Sequence, residues 1–186
     1  MPRHPGPGPA NVTVPNERPR GRADEAGALV VREVAEADVE ALFPVLLQAE
    51  PSERALRWSV RHLSEKVYRL DALGALAGAA TVRWAGDPCE IVELAVAPAL
   101  HGQGLGRHLV AWIVEEARRR GKQAVEVGTA NASLGNLAFY QKCGFRFSHV
   151  RRDYFRYYRE PRVEHGIPVR DLVVFRYEFD GAPAEP

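Results

Sequence analysis

An apolar run, Leu94-Ala95-Val96, passes through Pro98 into His101-Gly102-Gln103-Gly104-Leu105-Gly106-Arg107, and a helical pattern follows without a spacer. Pro98 ends the strand before it, and alternating glycines give the following backbone conformations that other residues resist. From Gly104 to Arg120, Leu105, Leu109, Ile113 and Ala117 recur at helical spacing. Arg118, Arg119 and Arg120 suit the negative end of that helix, and Gly121 terminates it. A strand that turns into a helix through such a loop exposes successive backbone N–H groups beside about half a positive charge. The spacing therefore predicts an anion site suited to a phosphate or pyrophosphate.

The type of phosphate site is narrowed by what is missing. No GxxxxGK[ST] run occurs, so this is not a Walker loop. A dinucleotide fingerprint GxGxxG fails in both registers, because Arg107 and Leu109 stand where the last glycine belongs. The loop also comes in mid-chain, after several antiparallel-looking strands, which argues against a nucleotide-binding Rossmann domain.

The rest of the 186-residue chain reads as one domain between two short flexible ends. Residues 1–27 are rich in Pro, Gly and Arg and are expected to form a disordered tail. A domain is expected over residues 28–180, followed by a short flexible C-terminus over 181–186. A first strand is expected over Ala28 to Val34, then a helix capped by Asp38 and carrying Val39, Leu42, Phe43, Leu46 and Leu47, with Pro44 predicting a kink or a late start. Pro51-Ser52 restarts the helix through Leu56, Val60 and Leu63. Strands are predicted over Val67 to Leu70, Gly74 to Trp84 (with a turn near Asp71) and Glu90 to Val96. After the long helix come a strand over Gln123 to Thr129, a helix over Leu134 to Lys142, and strands over Phe145 to Val150 and Pro168 to Glu178. The order β, αα, βββ, α, β, α, β, β predicts a mixed α/β sheet.

At the glycine loop the chain resembles the GNAT superfamily of acyl-CoA-dependent N-acyltransferases. Leu94-Ala95-Val96-Ala97-Pro98 and Gly104-Leu105-Gly106 match the family's signature, with His101 in the place usually held by Arg or Gln. A second match follows at Leu137-Ala138-Phe139-Tyr140-Gln141-Lys142-Cys143-Gly144-Phe145, and the Tyr140 to Phe145 string resembles a small bacterial subgroup. The resemblance runs over roughly residues 28–180 and is strongest from Glu90 to Phe145. It implies a mostly antiparallel, twisted sheet of about seven strands with about four helices. It implies acetyl-CoA as cosubstrate, with pyrophosphate contacts at the amides of Gln103, Gly104, Leu105, Gly106 and Arg107. A strand bulge would leave an N–H near Leu94, Ala95 and Val96 free for the acyl carbonyl. Where the family usually has Asn, seven residues before the tyrosine, this chain has Ser133, and Asn131 or Asn136 is expected to replace that contact.

Transfer from a thioester to an amine needs a neutral amine, a donor for the oxyanion and a proton for the thiolate. A lysine-like amine is less than about 0.1% neutral at pH 7, so a proton acceptor matters. Glu90 is the first candidate, because it begins the strand that leads to the loop; Glu93 is the runner-up. Alternation places Glu90 with Val92, Leu94 and Val96, and Glu93 on the opposite face with Ile91 and Ala95. Tyr140 is the candidate acid. For each of these the alternative is a solvated, paired or core-filling side chain. Cys143 and Cys89 read as packed residues rather than nucleophiles, and the histidines show no metal-ligand spacing, so no metal is expected.

Arg and Lys total 25 against 24 Asp and Glu, a net charge of +1, which disfavours nucleic acid or an anionic membrane as a global partner. The basic and aromatic segment Arg151 to Arg159 is read as pocket wall or exposed hairpin before it is read as a nucleic-acid surface. Glu164 and Asp171 are placed to attract a cationic amine. No apolar run approaches the roughly 18 residues of a membrane span, and the start of the chain lacks the apolar core of a secretion signal. The expectation is a reduced, cytoplasmic N-acetyltransferase acting on a small-molecule or peptide amine, with a homodimer as an option. The alternative function is a non-catalytic acyl-CoA-binding module.

Overall fold

The computed structural model describes residues 29–158 and 160–179. The tail expected over 1–27, the C-terminus expected over 181–186 and Ala28, where the first strand was expected to begin, lie outside the described residues. Among the described residues no helix is long and apolar enough to cross a membrane.

The architecture is a seven-stranded mixed sheet flanked by four α-helices, with strand order β1-β2-β3-β4-β5-β9-β6. Its strands are β1 (Val30–Glu33), β2 (Lys66–Ala72), β3 (Ala75–Arg83), β4 (Cys89–Val96), β5 (Ala124–Ala130), β6 (Arg146–Arg151) and β9 (Leu172–Glu178). All neighbours pair antiparallel except β4 and β5, which are parallel. Helix α3 (Leu105–Arg119) supplies the crossover between those two, as a parallel pair requires. The remaining helices are α1 (Phe43–Leu46), α2 (Glu53–His62) and α4 (Leu134–Lys142).

Two apolar layers sandwich the sheet. On one face Leu105, Leu109, Ile113 and Ala117 of α3 and Tyr140 of α4 pack with Leu70, Val82, Ile91 and Val125. On the other, Leu42, Phe43, Leu46 and Leu56 close over Val67, Ala79 and Ala95. The helical stripe read from α3 is thus the stripe that is buried.

Several local expectations are corrected. Residues Glu36–Leu42 form a 3₁₀ helix rather than an α-helix, and its N-cap is Ala35, with Asp38 inside the first turn. Pro44 has no N–H to give the carbonyl of Glu40, so Phe43 takes that carbonyl in the tighter turn and the α-helix starts late, at Phe43. The β2–β3 turn lies at Leu73-Gly74, both with positive φ, while Asp71 stays in the strand, buried and paired with Arg32 and Arg69. The last predicted strand is interrupted: β7 (Val163–Glu164) and β8 (Ile167–Pro168) form a separate hairpin before β9 begins at Leu172. Ser52 does start α2, its hydroxyl accepting a hydrogen bond from the Ala55 N–H at 3.3 Å.

Candidate active site

β4 and β5 are partners only where Cys89, Glu90 and Ile91 face Val125, Glu126 and Val127. Beyond that point β4 stays with β3 as far as Val96, and β5 stays with β9 as far as Ala130. The two strands part, so β4 from Val92 to Val96 has one backbone edge without a strand partner among the described residues. Such an edge offers N–H and C=O groups to a ligand laid along it. The parting opens a cavity of about 1660 Å³, walled by both strands, the glycine loop, α4 and the segment after β6.

The glycine loop closes one end of this cavity. Gly102 and Gly104 have φ of 79° and 80°, and a Cβ on either would meet open space, so glycine serves backbone conformation there rather than packing. Gly106 is different: a Cβ would stand 3.3 Å from Phe139, so its small size lets α3 approach α4. Gly104 caps α3 with no side-chain hydrogen bond, and the first intrahelical donor is His108. The N–H groups of Leu105, Gly106 and Arg107 therefore lack helical partners. That cradle fits a diphosphate. His101 does not point a charge outward; a ring nitrogen lies 2.9 Å from the Val96 carbonyl and ties the loop to the strand end.

Of the residues expected to meet the cosubstrate, Leu94, Ala95, Val96, Gly104, Leu105, Gly106, Arg107 and Asn136 line the cavity. Gln103 and Asn131 are not among the lining residues. The Asn131 amide is spent on its neighbours: it donates to the Pro168 carbonyl and accepts from the Arg170 and Asp171 N–H groups. Asn136 donates to Thr129 at 3.2 Å, and Ser133 donates to Glu164 at 2.6 Å. Asp171, expected near the acceptor, instead accepts from the Asp153 N–H.

The bulge in β4 is upstream of its expected place. Thr81 faces Glu93 and Val82 faces Ile91, which leaves Val92 as the extra residue. Around Leu94 to Val96 it is the departure of β5, not a bulge, that opens the backbone. The bulge also corrects the facing read from strict alternation. Cys89, Ile91, Leu94 and Val96 belong to the α3 face, while Ala95 packs on the α1–α2 face. Glu90 and Glu93 consequently share one face, and both reach the cavity.

Their surroundings differ. Glu90 is ion-paired with Arg83, its cross-strand neighbour, and lies 4.0 Å from Arg151. Glu93 has no cationic partner among the described residues and accepts a 2.9 Å hydrogen bond from Ser59 of α2, while its own N–H donates to Thr81. Burial raises the Glu93 pKa to about 7; the Ser59 bond holds it down, and the nearby charges of Glu50 and Glu90 push it further up. Tyr140 reaches the same gap from α4, buried among Phe139, Phe145 and Phe175. Burial raises its phenol pKa far enough to keep the proton on at any physiological pH.

The far wall was only partly visible in sequence. Tyr154, Phe155, Tyr157 and Tyr158 line the cavity, so the aromatic segment is pocket wall. Glu50 was missed altogether. It is 7% exposed and clasps that segment, accepting from the Tyr157 hydroxyl at 2.7 Å and the Tyr158 hydroxyl at 2.9 Å, as well as from the Ser52 N–H. No local motif marks it, because its tyrosine partners lie more than a hundred residues away; the only cue is a glutamate set just before the Pro51-Ser52 helix start. The cysteines stay outside this chemistry: burial raises the Cys89 thiol to about 11 and also raises that of Cys143.

A mostly antiparallel seven-stranded sheet, opened between its one parallel pair at a helix start with no side-chain cap, is the GNAT fold. The model of the acetyltransferase (GNAT) family matches residues 31–145. YvbK of Bacillus subtilis, named as an uncharacterized N-acetyltransferase, is 35% identical over 143 residues, covering 76% of this chain and 91% of its own. A Bacillus subtilis acetyltransferase in complex with CoA superposes with a TM-score of 0.73 at 33% identity, covering 82% of this chain and 99% of that one. A GNAT acetyltransferase from Elizabethkingia anophelis with acetyl-CoA bound gives a TM-score of 0.75 at 26% identity, covering 84% of this chain and all 100% of that one. The chain belongs to the GNAT acetyltransferase family.

Proposed function

We propose that the protein transfers the acetyl group of acetyl-CoA to a primary amine by direct attack in a ternary complex. The observation that carries the reading is a carboxyl and a phenol lining one cavity, Glu93 from one face of the sheet and Tyr140 from the other, with the free amides that begin α3 at its end. Support also comes from the similar structures that hold CoA or acetyl-CoA.

The amides of Leu105 to Arg107 would hold the diphosphate, and the open edge of β4 would hold the pantetheine arm and thioester. The amine nitrogen attacks the thioester carbonyl, the C–S bond breaks, and a backbone N–H of β4 between Val92 and Val96 stabilises the developing oxyanion. Glu93, directly or through a water, takes the proton that the amine loses. A base whose pKa is about 7 suits that work near neutral pH. Glu90 was the first choice from sequence, but its oxygens face the Arg83 and Arg151 guanidiniums, so Glu93 is the better-placed acceptor. Tyr140 keeps its proton and donates a hydrogen bond to the departing thiolate sulfur, which takes its proton from water as CoA leaves.

The test is release of CoA from acetyl-CoA, followed with a thiol reagent across a library of primary amines. CoA is expected only when an accepted amine is present, and Tyr140→Phe is expected to slow turnover at least tenfold. Tight acetyl-CoA binding with no release across the whole library would mean a binding module instead.

A further inference from the structure

Among the described residues, four arginines away from the glycine loop reach the cavity wall: Arg54, Arg83, Arg151 and Arg162. Arg83 pairs with Glu90, and Arg151 lies 4.0 Å from the same carboxylate. Arg54 and Arg162 have no carboxylate partner among the described residues. The other acids of this wall are already engaged, Glu50 by two tyrosine hydroxyls, Glu93 by Ser59 and Glu164 by Ser133.

Arg162 is half-buried, with its guanidinium carbon 4.9 Å from the centre of the Tyr158 ring. The ring face attracts the cation but cannot satisfy five N–H donors, which need oxygen acceptors. A partly desolvated guanidinium on the wall of a cavity is completed by a ligand oxyanion, with charge-assisted hydrogen bonds. Arg54 stands exposed at the start of α2, and Trp58, one turn further along the same helix face, lines the cavity while remaining 56% exposed. Together they present a cation and an apolar plate at the same wall.

We propose that the acceptor is an amine that also carries an oxyanion, a carboxylate or a phosphonate, held chiefly by Arg162 with Arg54 at the cavity wall and Trp58 against its stem. This rests on the acetyl-transfer reading and names the acceptor class for it. Arg162 and Arg54 are specificity residues, distinct from the groups that move protons.

The experiment measures kcat/KM for CoA release with matched acceptor sets that share a side chain: α-amino acids, their methyl esters, 1-aminoalkylphosphonates and the decarboxylated amines. The full-length protein is expected to prefer the acid or the phosphonate over the ester and the bare amine at least tenfold, and comparing the first two arms identifies the oxyanion. Arg162→Ala is expected to raise KM for the preferred oxyanion acceptor at least tenfold, with acetyl-CoA affinity by calorimetry unchanged; Arg162→Lys recovers part of the loss. Equal or better turnover of esters or bare amines by the unaltered protein would overturn the proposal, whatever the variants do. So would an Arg162→Ala protein that folds and keeps the oxyanion preference. Acetyl-CoA binding without CoA release from any set, or from a wider amine library, would overturn the acetyl-transfer reading itself and this assignment with it.

Discussion

Glu90 and Glu93 stand three positions apart on β4 and face the same cavity, yet one sits against arginine and the other against serine. Burial without a cation raises the pKa of a carboxyl, so Glu93 can exchange a proton near neutrality. Glu93→Gln is expected to lower kcat about 100-fold or more, within the usual range for losing a general base, while a calorimetric titration shows acetyl-CoA binding retained. Glu90→Gln should cost far less in the same assay. The pH profile carries a sign. As the proposed base Glu93 must be deprotonated, so kcat/KM should climb through a midpoint near 7, and Glu93→Gln should lose that limb. Stability runs the other way: a folded pKa of about 7, above the ordinary 4.5, means that this group's contribution is full below pH 4.5 and is lost as pH rises through 7. Because the Ser59 hydrogen bond holds the Glu93 pKa down, Ser59→Ala should move the midpoint of the kinetic limb upward.

Elements differ in how local their causes are. The glycine loop and α3 were legible because every reason for them lies within a few neighbouring residues: Pro98 stops a strand, glycines take positive φ, and leucines recur at helical spacing. Gly104→Ala tests the loop cleanly. The added methyl meets nothing within 4 Å, but φ of 80° is costly for alanine, by about 1 kcal/mol. We expect a small drop in thermal midpoint together with weaker acetyl-CoA binding, both read by a thermal shift series. Gly128→Ala should behave differently. Its Cβ would come within 2.7 Å of the Leu172 side chain on β9, so the loss of stability should be larger, about 1–3 kcal/mol. The β4 bulge was not legible at its place, since a single extra residue leaves no mark on an apolar strand pattern. It shows only when Thr81 and Val82 are seen to face Glu93 and Ile91.

At the scale of the molecule, the site exists because β4 and β5 are neighbours for three residues and then follow different partners. The opening joins the two faces of the sheet, so a carboxyl supported from α2 and a phenol on α4 line one cavity. A ligand that fills it binds only the folded chain. Saturating acetyl-CoA at about 100 times its Kd should stabilise the protein by about 2.7 kcal/mol, seen as a rise in thermal midpoint that grows with ligand concentration. The far wall is held by the same kind of long-range tie: Glu50, before α2, grips Tyr157 and Tyr158 after β6.

Backbone preferences and amphipathic repeats act over a turn or two of chain, which is why the anion loop, its helix, the Tyr140 helix and the run of strands could be read in order from residues alone. Desolvation and ion pairing act through space. They depend on which distant side chains arrive beside a group, and that is decided by strand register and sheet order. Hence the choice between Glu90 and Glu93, the clasp at Glu50, and Arg54 and Arg162 without carboxylate partners among the described residues became visible only when Arg83, Ser59 and the tyrosine segment were in place around the cavity.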